Sequence, residues 1–443
     1  MNILAIGGSD PSSGAGIQSD ILASRELGAN CFSVITAITA QNSKEFIHAE
    51  DVSVKSIQLQ IESIFSDFDL SVITIGMVHN IPIIKAVHSK LKKIKTPIVI
   101  DPVIKSTTGG ILLKKDAIIA FKKLLVPLCH TITPNLSEAE IISGLKIRKF
   151  SDLILAAKEI QSLGAKNVII TGHSFDRGQI SDFVFDGTRY ESIAGKKIPG
   201  RNHGSGCNFA IALSVSIARK KNVFEAARFA KIFTYEAIKN SKQIGGGIKI
   251  TKPHLDKIHL ELEESIKKFE ELEQIQNHIP ECQTNFVFAK KSSKTIEDVL
   301  GVSGRIVKAG KQAIVAGNLE YGGSKHVANA VITIRKKFPT IRSAINIKYS
   351  EATIKEFAKL KFKISSYNRF KEPKSLRTKE NSSIVWGINQ AIENFSSPPD
   401  IIFHKGDFGK EPMILIFGKT PSDVLEKLKK IIWSVQRSFC NCA

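Results

Sequence analysis

The sequence has little cysteine, and what it has is unorganised. Six residues, Cys31, Cys129, Cys207, Cys282, Cys440 and Cys442, are scattered over 443 positions. There is no CxxC pair and no histidine at a zinc-binding spacing, which argues against a zinc module. The terminal Cys-Asn-Cys leaves a metal pair or a strained bridge open beside the plainer reading of a frayed tail. No apolar run approaches membrane length, and "MNILAIGGSD" reaches glycine and aspartate too soon to build a signal-peptide core. A cytoplasmic chain with no membrane partner is therefore expected. The sequence also lacks the GxxxxGK[ST] phosphate loop, any internal repeat and any low-complexity tract.

Negative charge is in short supply: 42 Asp and Glu face 63 Lys and Arg, a net charge of +21. Such a field attracts nucleic acid, acidic lipid or phosphorylated small molecules. The lysines are dispersed over helix faces with little aromatic interleaving, and no nucleic-acid-binding motif is present. Solvated helix surface accounts for most of them, phosphorylated substrates are the preferred partners, and nucleic acid is not expected. Assembly into a homo-oligomer is expected.

Hydrophobic residues make up 42% of the chain, as in soluble globular proteins, and the length suits two or three domains. From residue 1 to about 250, β-type apolar runs ("NILAIG", "FSVITAI", "SVITIG", "PIVID", "TITPN", "NVIITG") alternate with helical stretches at 54–64, 81–92 and 151–163. This alternation specifies an α/β fold, a mainly parallel sheet with helices on both faces. Asp186-Gly187 reads as a hairpin turn interrupting that order. Helices at roughly 207–219 and 223–240 close the domain. Residues 251–284 read as a connecting helix ending in a linker, "HIPECQTN", and a second α/β domain is expected over 285–438.

Chemistry is suggested first by "RNHGSGCNFAIAL", residues 201–213. Gly204 to Cys207 form the first turn of an apolar helix, where free backbone N–H groups and the helix dipole favour an anion and lower a thiol's pKa. A tight glycine entry with an inert buried cysteine fits equally well. "IVIDPV" places Asp101 at the end of a buried strand, and "TITPNLSEAE" places Asn135 and Glu138 at the end of another. Carboxylates there suit a Mg²⁺–nucleotide arrangement; an aspartate turn cap and an ordinary helix start are the plainer readings. In the C-terminal segment, Gly322-Gly323-Ser324 followed by Lys325 and His326 is a second glycine entry to a helix, and Arg305 adds a possible phosphate ligand. A surface ion pair for Arg305 and a core position for His326 are the alternatives.

Taken together, "GSDPSSGAGIQSD", "TAITAQNS", "IGMV", "DPVIKSTTGG", "TPNLSEAE" and "HGSGC" resemble the hydroxymethylpyrimidine/phosphomethylpyrimidine kinases of thiamine biosynthesis, which have a ribokinase-like fold. The resemblance implies ATP and Mg²⁺ as cofactors. It places Ala15, Gln41, Met77 and Val103 in the pyrimidine pocket, Asp101 and Glu138 at the metal, and Asn135, Gly204, Ser205 and Gly206 at the nucleotide phosphates. Cys207 becomes the base for the substrate hydroxymethyl group. Ser13 and Ser205 depart from the usual glycine and threonine.

"GVSGRIVKAG", "EYGGSKHVANAVI", "AINIKYS", "NRFKEP", "VWGINQA" and "HKGDFGKEPMILIFG" resemble the ThiN-type thiamine-phosphate synthase domain. That likeness implies condensation of the pyrimidine diphosphate with hydroxyethylthiazole phosphate, with Arg305 and His326 catalytic. Lys325, at a substrate-binding position, stands where arginine is usual, and Gly323 where alanine is common. A regulatory module that binds thiamine phosphate is the alternative for this half, and a kinase of a related vitamin, such as pyridoxal, for the first.

Overall fold

The computed structural model describes residues 1–175, 179–373, 382–407 and 410–440, so Cys442 and part of the "HKGDFGKEP" loop lie outside the described residues. The chain forms two compact units, Met1–Leu255 and Asp256–Ala443. No helix among the described residues is long and apolar enough to cross a membrane.

The first unit is built on nine described strands: β1 (Asn2–Ser9), β2 (Asn30–Gln41), β3 (Phe46–Asp51), β4 (Val72–Ile75), β5 (Ile98–Ile100), β6 (Thr131–Ile132), β7 (Asn167–His173), β8 (Gln179–Phe185) and β9 (Tyr190–Lys196), in the order β3-β2-β1-β4-β5-β6-β7-β8-β9. Strands β2 to β7 are parallel neighbours through β1. Antiparallel β3 forms one edge, and the hairpin of β8 and β9 turns at Asp186–Arg189. The helices are α1 (Gly16–Glu26), α2 (Val54–Asp67), α3 (Ile81–Leu91), α4 (Ile118–Leu124), α5 (Leu136–Ser143), α6 (Phe150–Ser162), α7 (Ser205–Ala218) and α8 (Val223–Lys239).

Strand periodicity divides them between two faces. Leu4, Ile6, Ile73, Ile75, Ile98 and Ile100 point into the core under α2 to α6. Their neighbours Ile3, Val72 and Val99 point into the core under α7 and α8, as alternation along a strand requires. Buried almost all round, α7 is apolar on every side. After β1 the chain moves outward to β2 and β3, then returns to place β4 on the other side of β1. That reversal opens a crevice at the carboxyl ends of β1 and β4, where open α/β sheets bind ligands. The short strands β10 (Asn202–His203) and β11 (Lys249–Ile250) pair in parallel ahead of α7.

The second unit holds β12 (Phe286–Ala289), β13 (Val299–Val302), β14 (Ile306–Ala309), β15 (Gln312–Val315), β16 (Leu319–Tyr321), β17 (Ser343–Lys348), β18 (Ile364–Ser366), β19 (Ile401–His404) and β20 (Met413–Gly418), with a main sheet ordered β16-β13-β12-β17-β20-β19-β18. Helices α10 (His326–Lys337) and α12 (Ser382–Ile392) share one core with this sheet. A separate core takes in α9 (Lys257–Glu270), α11 (Glu351–Lys359) and α13 (Pro421–Cys440).

The structure differs from the expected connection over 251–284. Leu262, Ile266 and Phe269 of α9, spaced as one helical stripe, are buried in the second core. "HIPECQTN" is tied in as well: Thr284 N donates to Ile306 O at 3.1 Å, and the Glu411 carboxylate accepts the N–H groups of Glu281 and Cys282, each at 2.9 Å. These stretches are structural parts of the second unit. Phe269→Ala should therefore destabilise that unit by about 3–5 kcal/mol, the range for emptying a buried aromatic site. Two-transition denaturant unfolding checks this; a shift within about 0.5 kcal/mol, as for an exposed connector, contradicts it.

Candidate functional site

The crevice of the first unit is assembled around one buried carboxylate. Asp10 follows β1 directly. Its Oδ1 accepts the N–H of Ser12 at 2.9 Å and the Ser12 hydroxyl at 2.8 Å, while Oδ2 accepts the Ala15 N–H and pairs with His203 Nε2, both at 2.8 Å. Because an ionised carboxylate only accepts, the Nε2 of His203 carries the hydrogen. Burial alone raises the Asp10 carboxyl, but the bonds from His203 and Ser12 outweigh it and hold the group below its ordinary value. The loop so fixed bends through Ser13 at φ +56°. This left-handed geometry explains the preference for glycine there; serine adopts it at a steric cost of about 1 kcal/mol.

His203 leads into Gly204, which caps α7 at φ +94° and brings no side-chain cap. A Cβ on Gly204 would lie 1.9 Å from Gly14 O, so glycine alone lets the two loops meet. The Gly204 carbonyl is held by the Asn208 amide at 2.7 Å, and that amide also donates to Thr251 Oγ1 at 2.9 Å. The first-turn N–H groups of Ser205, Gly206 and Cys207 have no preceding helical turn to bond to, and this is the geometry that receives an anion. Gly206 sits against Asp101, where an added Cβ would be 3.1 Å from Oδ2.

Around this helix end the charges are negative. Burial pushes the Asp101 carboxyl up, and burial together with the Asp101 charge pushes up both Asp20 and Glu138. Cys207 overturns an expectation. Burial first, then Asp20 and Asp101, drive its thiol well above the ordinary value; only the Gly16 N–H pulls noticeably the other way. In the free protein, desolvation beside carboxylates outweighs the helix terminus. Asn135 and Glu138 form a reciprocal capping box on α5. Glu138 Oε2 takes the Asn135 N–H at 2.9 Å, and Oε1 takes the Ile104 N–H at 3.3 Å. The Asp101 carboxylate, in contrast, accepts no hydrogen bond from the described residues.

Beside the crevice Met77, Val103, Ala37, Leu112 and Phe46 form a small apolar cluster of their own. Gln41 pairs with Phe46 across β2 and β3. Its Nε2 donates to Thr39 Oγ1 at 3.1 Å, whereas its Oε1 is buried without a partner. Ala15, at the start of α1, completes the set through its bond to Asp10.

In the second unit Arg305 is exposed at φ +66°, with its guanidinium donating to Cys282 O. Lys325 is exposed at the N-cap of α10, and His326 begins the helix. Burial, then Arg369, Arg305 and Lys410, lower His326 to about 4. The imidazole is therefore neutral in the free protein.

Residues 10–252 match the phosphomethylpyrimidine kinase family, and residues 261–430 match the thiamine-phosphate synthase ThiN domain. The chain belongs to the phosphomethylpyrimidine kinase family. The bifunctional thiamine biosynthesis protein ThiDN of Methanocaldococcus jannaschii is 29% identical over 97% of this chain and 98% of its own. A hydroxymethylpyrimidine/phosphomethylpyrimidine kinase of Aquifex aeolicus is 35% identical over 56% of this chain and 99% of its own. Among solved structures, the ADP complex of Bacillus subtilis pyridoxal kinase is 32% identical, with a TM-score of 0.53, over 57% of this chain and 97% of that one. The kinase half is ribokinase-like, and the chain pairs it with a synthase domain.

Sequence reasoning missed Asp10, Asp20, His203 and Phe46 in the kinase half. Asp10 carried a signal, a carboxylate immediately after an apolar strand, and His203 directly precedes the glycine entry. The acidic surroundings of Cys207 yield a test. Asp101→Asn removes a charge that disfavours the thiolate, so the pH at which Cys207 is alkylated should fall, as read peptide by peptide by mass spectrometry. An unchanged profile contradicts this electrostatic account.

Proposed function

We propose that the first unit transfers phosphate from ATP to 4-amino-5-hydroxymethyl-2-methylpyrimidine and then to its monophosphate. The second unit condenses the resulting diphosphate with hydroxyethylthiazole phosphate, forming thiamine phosphate and pyrophosphate. The observation that carries the kinase reading is the partnerless Oε1 of Gln41 at an apolar pocket. A flat aminopyrimidine fits between Met77 and Val103 and gives its amino N–H to that oxygen.

In the first transfer the substrate hydroxyl oxygen attacks the γ-phosphorus, the bond to the bridging oxygen breaks, and ADP leaves with the electron pair. The N–H groups of residues 204–207 hold the moving phosphoryl oxygens, and Cys207, once ionised to the thiolate, takes the hydroxyl proton. Asn135 and Glu138 shape the nucleotide side of the cleft. Asp101, whose carboxylate accepts no hydrogen bond from the described residues, would be the residue to hold Mg²⁺, an ion commonly bound through one or two carboxylates. Glu138, both oxygens engaged, orients this side. When bound, the ion neutralises phosphate charge.

The second transfer starts from an anionic phosphate and needs no base. In the condensation, the thiazole nitrogen lone pair forms the new C–N bond as the methylene C–O bond breaks and its electrons leave with pyrophosphate. Arg305 and His326 neutralise that leaving group, and Lys325 supplies a point charge nearby.

Incubating the protein with the pyrimidine alcohol, Mg-ATP and the thiazole phosphate should give a transient diphosphate and then thiamine phosphate, followed by mass spectrometry. Diphosphate accumulating alone confines catalysis to the kinase half. Cys207→Ala should slow the first phosphorylation by roughly 10²–10⁴ and the second far less. Since the thiol starts out protonated, the wild-type first step should rise with pH and the variant should lose that dependence. Equal losses in both steps would remove Cys207 from the role of base.

A further inference from the structure

Three polar groups at one end of the second sheet are buried without a well-formed hydrogen bond among the described residues: Tyr367 Oη, whose polar neighbour is the Arg369 guanidinium, Arg369 Nε and His326 Nε2. Tyr367 and Arg369 are themselves 5% and 4% exposed. Native interiors seldom tolerate one such group, because it has left water and gained nothing in return. A cluster of three at one place marks a space that a ligand with acceptors fills.

The topology explains why they meet. Strands β18 and β19 run parallel, so Tyr367 and Arg369, just beyond β18, lie beside His404 at the end of β19. Tyr367 N donates to Phe403 O at 3.2 Å, and the Tyr367 and His404 rings are 5.1 Å apart. Strand β20 starts opposite His404, which puts the preceding Lys410 at the same end. His326 reaches it from the N-terminus of α10.

The charge there is positive. Arg369 meets Glu372 through one nitrogen at 3.4 Å, and Glu372 is shared with the Ser383 hydroxyl. The nearby carboxylate of Glu411 is taken up by the N–H groups of Glu281 and Cys282. Burial first, and then the charges of Arg369 and Lys410, lower both His326 and His404, so the two imidazoles stay neutral.

We propose that Tyr367 and Arg369, together with His326, bind the diphosphate of the pyrimidine substrate and hold it as it departs, which makes Arg369 a catalytic group of the synthase half. The assignment rests on the synthase reading above. Donors approach from two elements, the start of α10 and the segment after β18, and two bridged phosphoryl groups present oxygens to both. As the C–O bond breaks, its electron pair passes to the diphosphate, and Arg369, which does not deprotonate, keeps a full charge facing it. The arriving polyanion also offsets the cations that add to burial in keeping His326 neutral, which moves the imidazole toward its protonated form as the leaving group gains charge.

Tyr367→Phe provides the cleanest test, because the hydroxyl it deletes makes no hydrogen bond of good geometry, its polar neighbour being Arg369 of the same site, and so costs the fold little. Titration calorimetry of the full-length protein with inorganic pyrophosphate, the kinase cleft filled by a non-hydrolysable ATP analogue, reads the recess directly. Tyr367→Phe should weaken pyrophosphate binding by about tenfold without lowering Tm. Arg369→Gln should weaken it by about a hundredfold, with partial recovery in Arg369→Lys. In turnover, the Arg369 variants should raise KM for the pyrimidine diphosphate and lower kcat, leaving KM for the thiazole phosphate unchanged. Unaltered pyrophosphate affinity in both Tyr367→Phe and Arg369→Gln overturns the proposal, as does a KM change confined to the thiazole phosphate. If the wild type makes no thiamine phosphate yet loses pyrophosphate binding in Arg369→Gln, the synthase reading fails and the diphosphate site stands.

Discussion

The kinase half depends on the carboxylate of Asp10. It joins two loops 193 residues apart, the turn after β1 and the entry to α7, through His203 on one side and Ser12 and Ala15 on the other. Both partners of the Asp10–His203 hydrogen bond are almost wholly buried. Removing either leaves the other's charge or hydrogen unpaired in a dry interior, commonly a loss of 3–5 kcal/mol. The close approach of Gly14 to Gly204 follows from this tie, and with it the position of the α7 N-terminus against Asp101. An anion site made of backbone N–H groups is only as exact as the loops that aim it, and here one carboxylate aims both.

The two halves handle phosphate with opposite electrostatics. In the kinase, Asp20, Asp101 and Glu138 gather near a helix terminus, and each is pushed toward its neutral form by burial, Asp20 and Glu138 also by the charge of Asp101. On the proposed function, a nucleotide that arrives with a divalent cation would meet carboxylates able to share it. In the synthase domain the recess holds Arg369 and Lys410 beside two neutral imidazoles. Fixed cations of this kind suit a diphosphate whose charge grows during the reaction. The overall excess of basic residues says nothing about this division, because the decisive charges in each half are a handful of side chains near the ligand.

Much of the fold was legible in the sequence. The alternation of apolar runs with helical stretches gave the parallel sheet, and Asp186-Gly187 gave the hairpin of β8 and β9. Strand β3 was not legible, because "FIHAED" has a largely exposed, polar pattern at a sheet edge. The stripe of Leu262, Ile266 and Phe269 was present within a highly charged stretch, but nothing local said which core it would enter. The pocket residues Gln41, Met77 and Val103 were read through resemblance, whereas Asp10 and His203 needed the fold to bring them together. The thiol of Cys207 was misjudged because a helix terminus is visible in sequence and the carboxylates that oppose it, Asp20 in α1 and Asp101 just after β5, are not. Arg369 and His404 lay in recognisable motifs and Tyr367 directly before one, yet their convergence is a property of strand direction, which no single motif records.

That convergence also bears on Lys325, where lysine replaces the usual arginine. An arginine is worth more than a lysine where its planar fork meets two oxygens at once in a desolvated setting. Lys325 is exposed, whereas Arg369 is buried with its Nε unpartnered. On the proposed diphosphate site, the fork geometry is supplied by Arg369, and an exposed ammonium at position 325 contributes charge, work that either cation performs. On this arrangement the substitution at position 325 changes the approach to the site more than the chemistry within it.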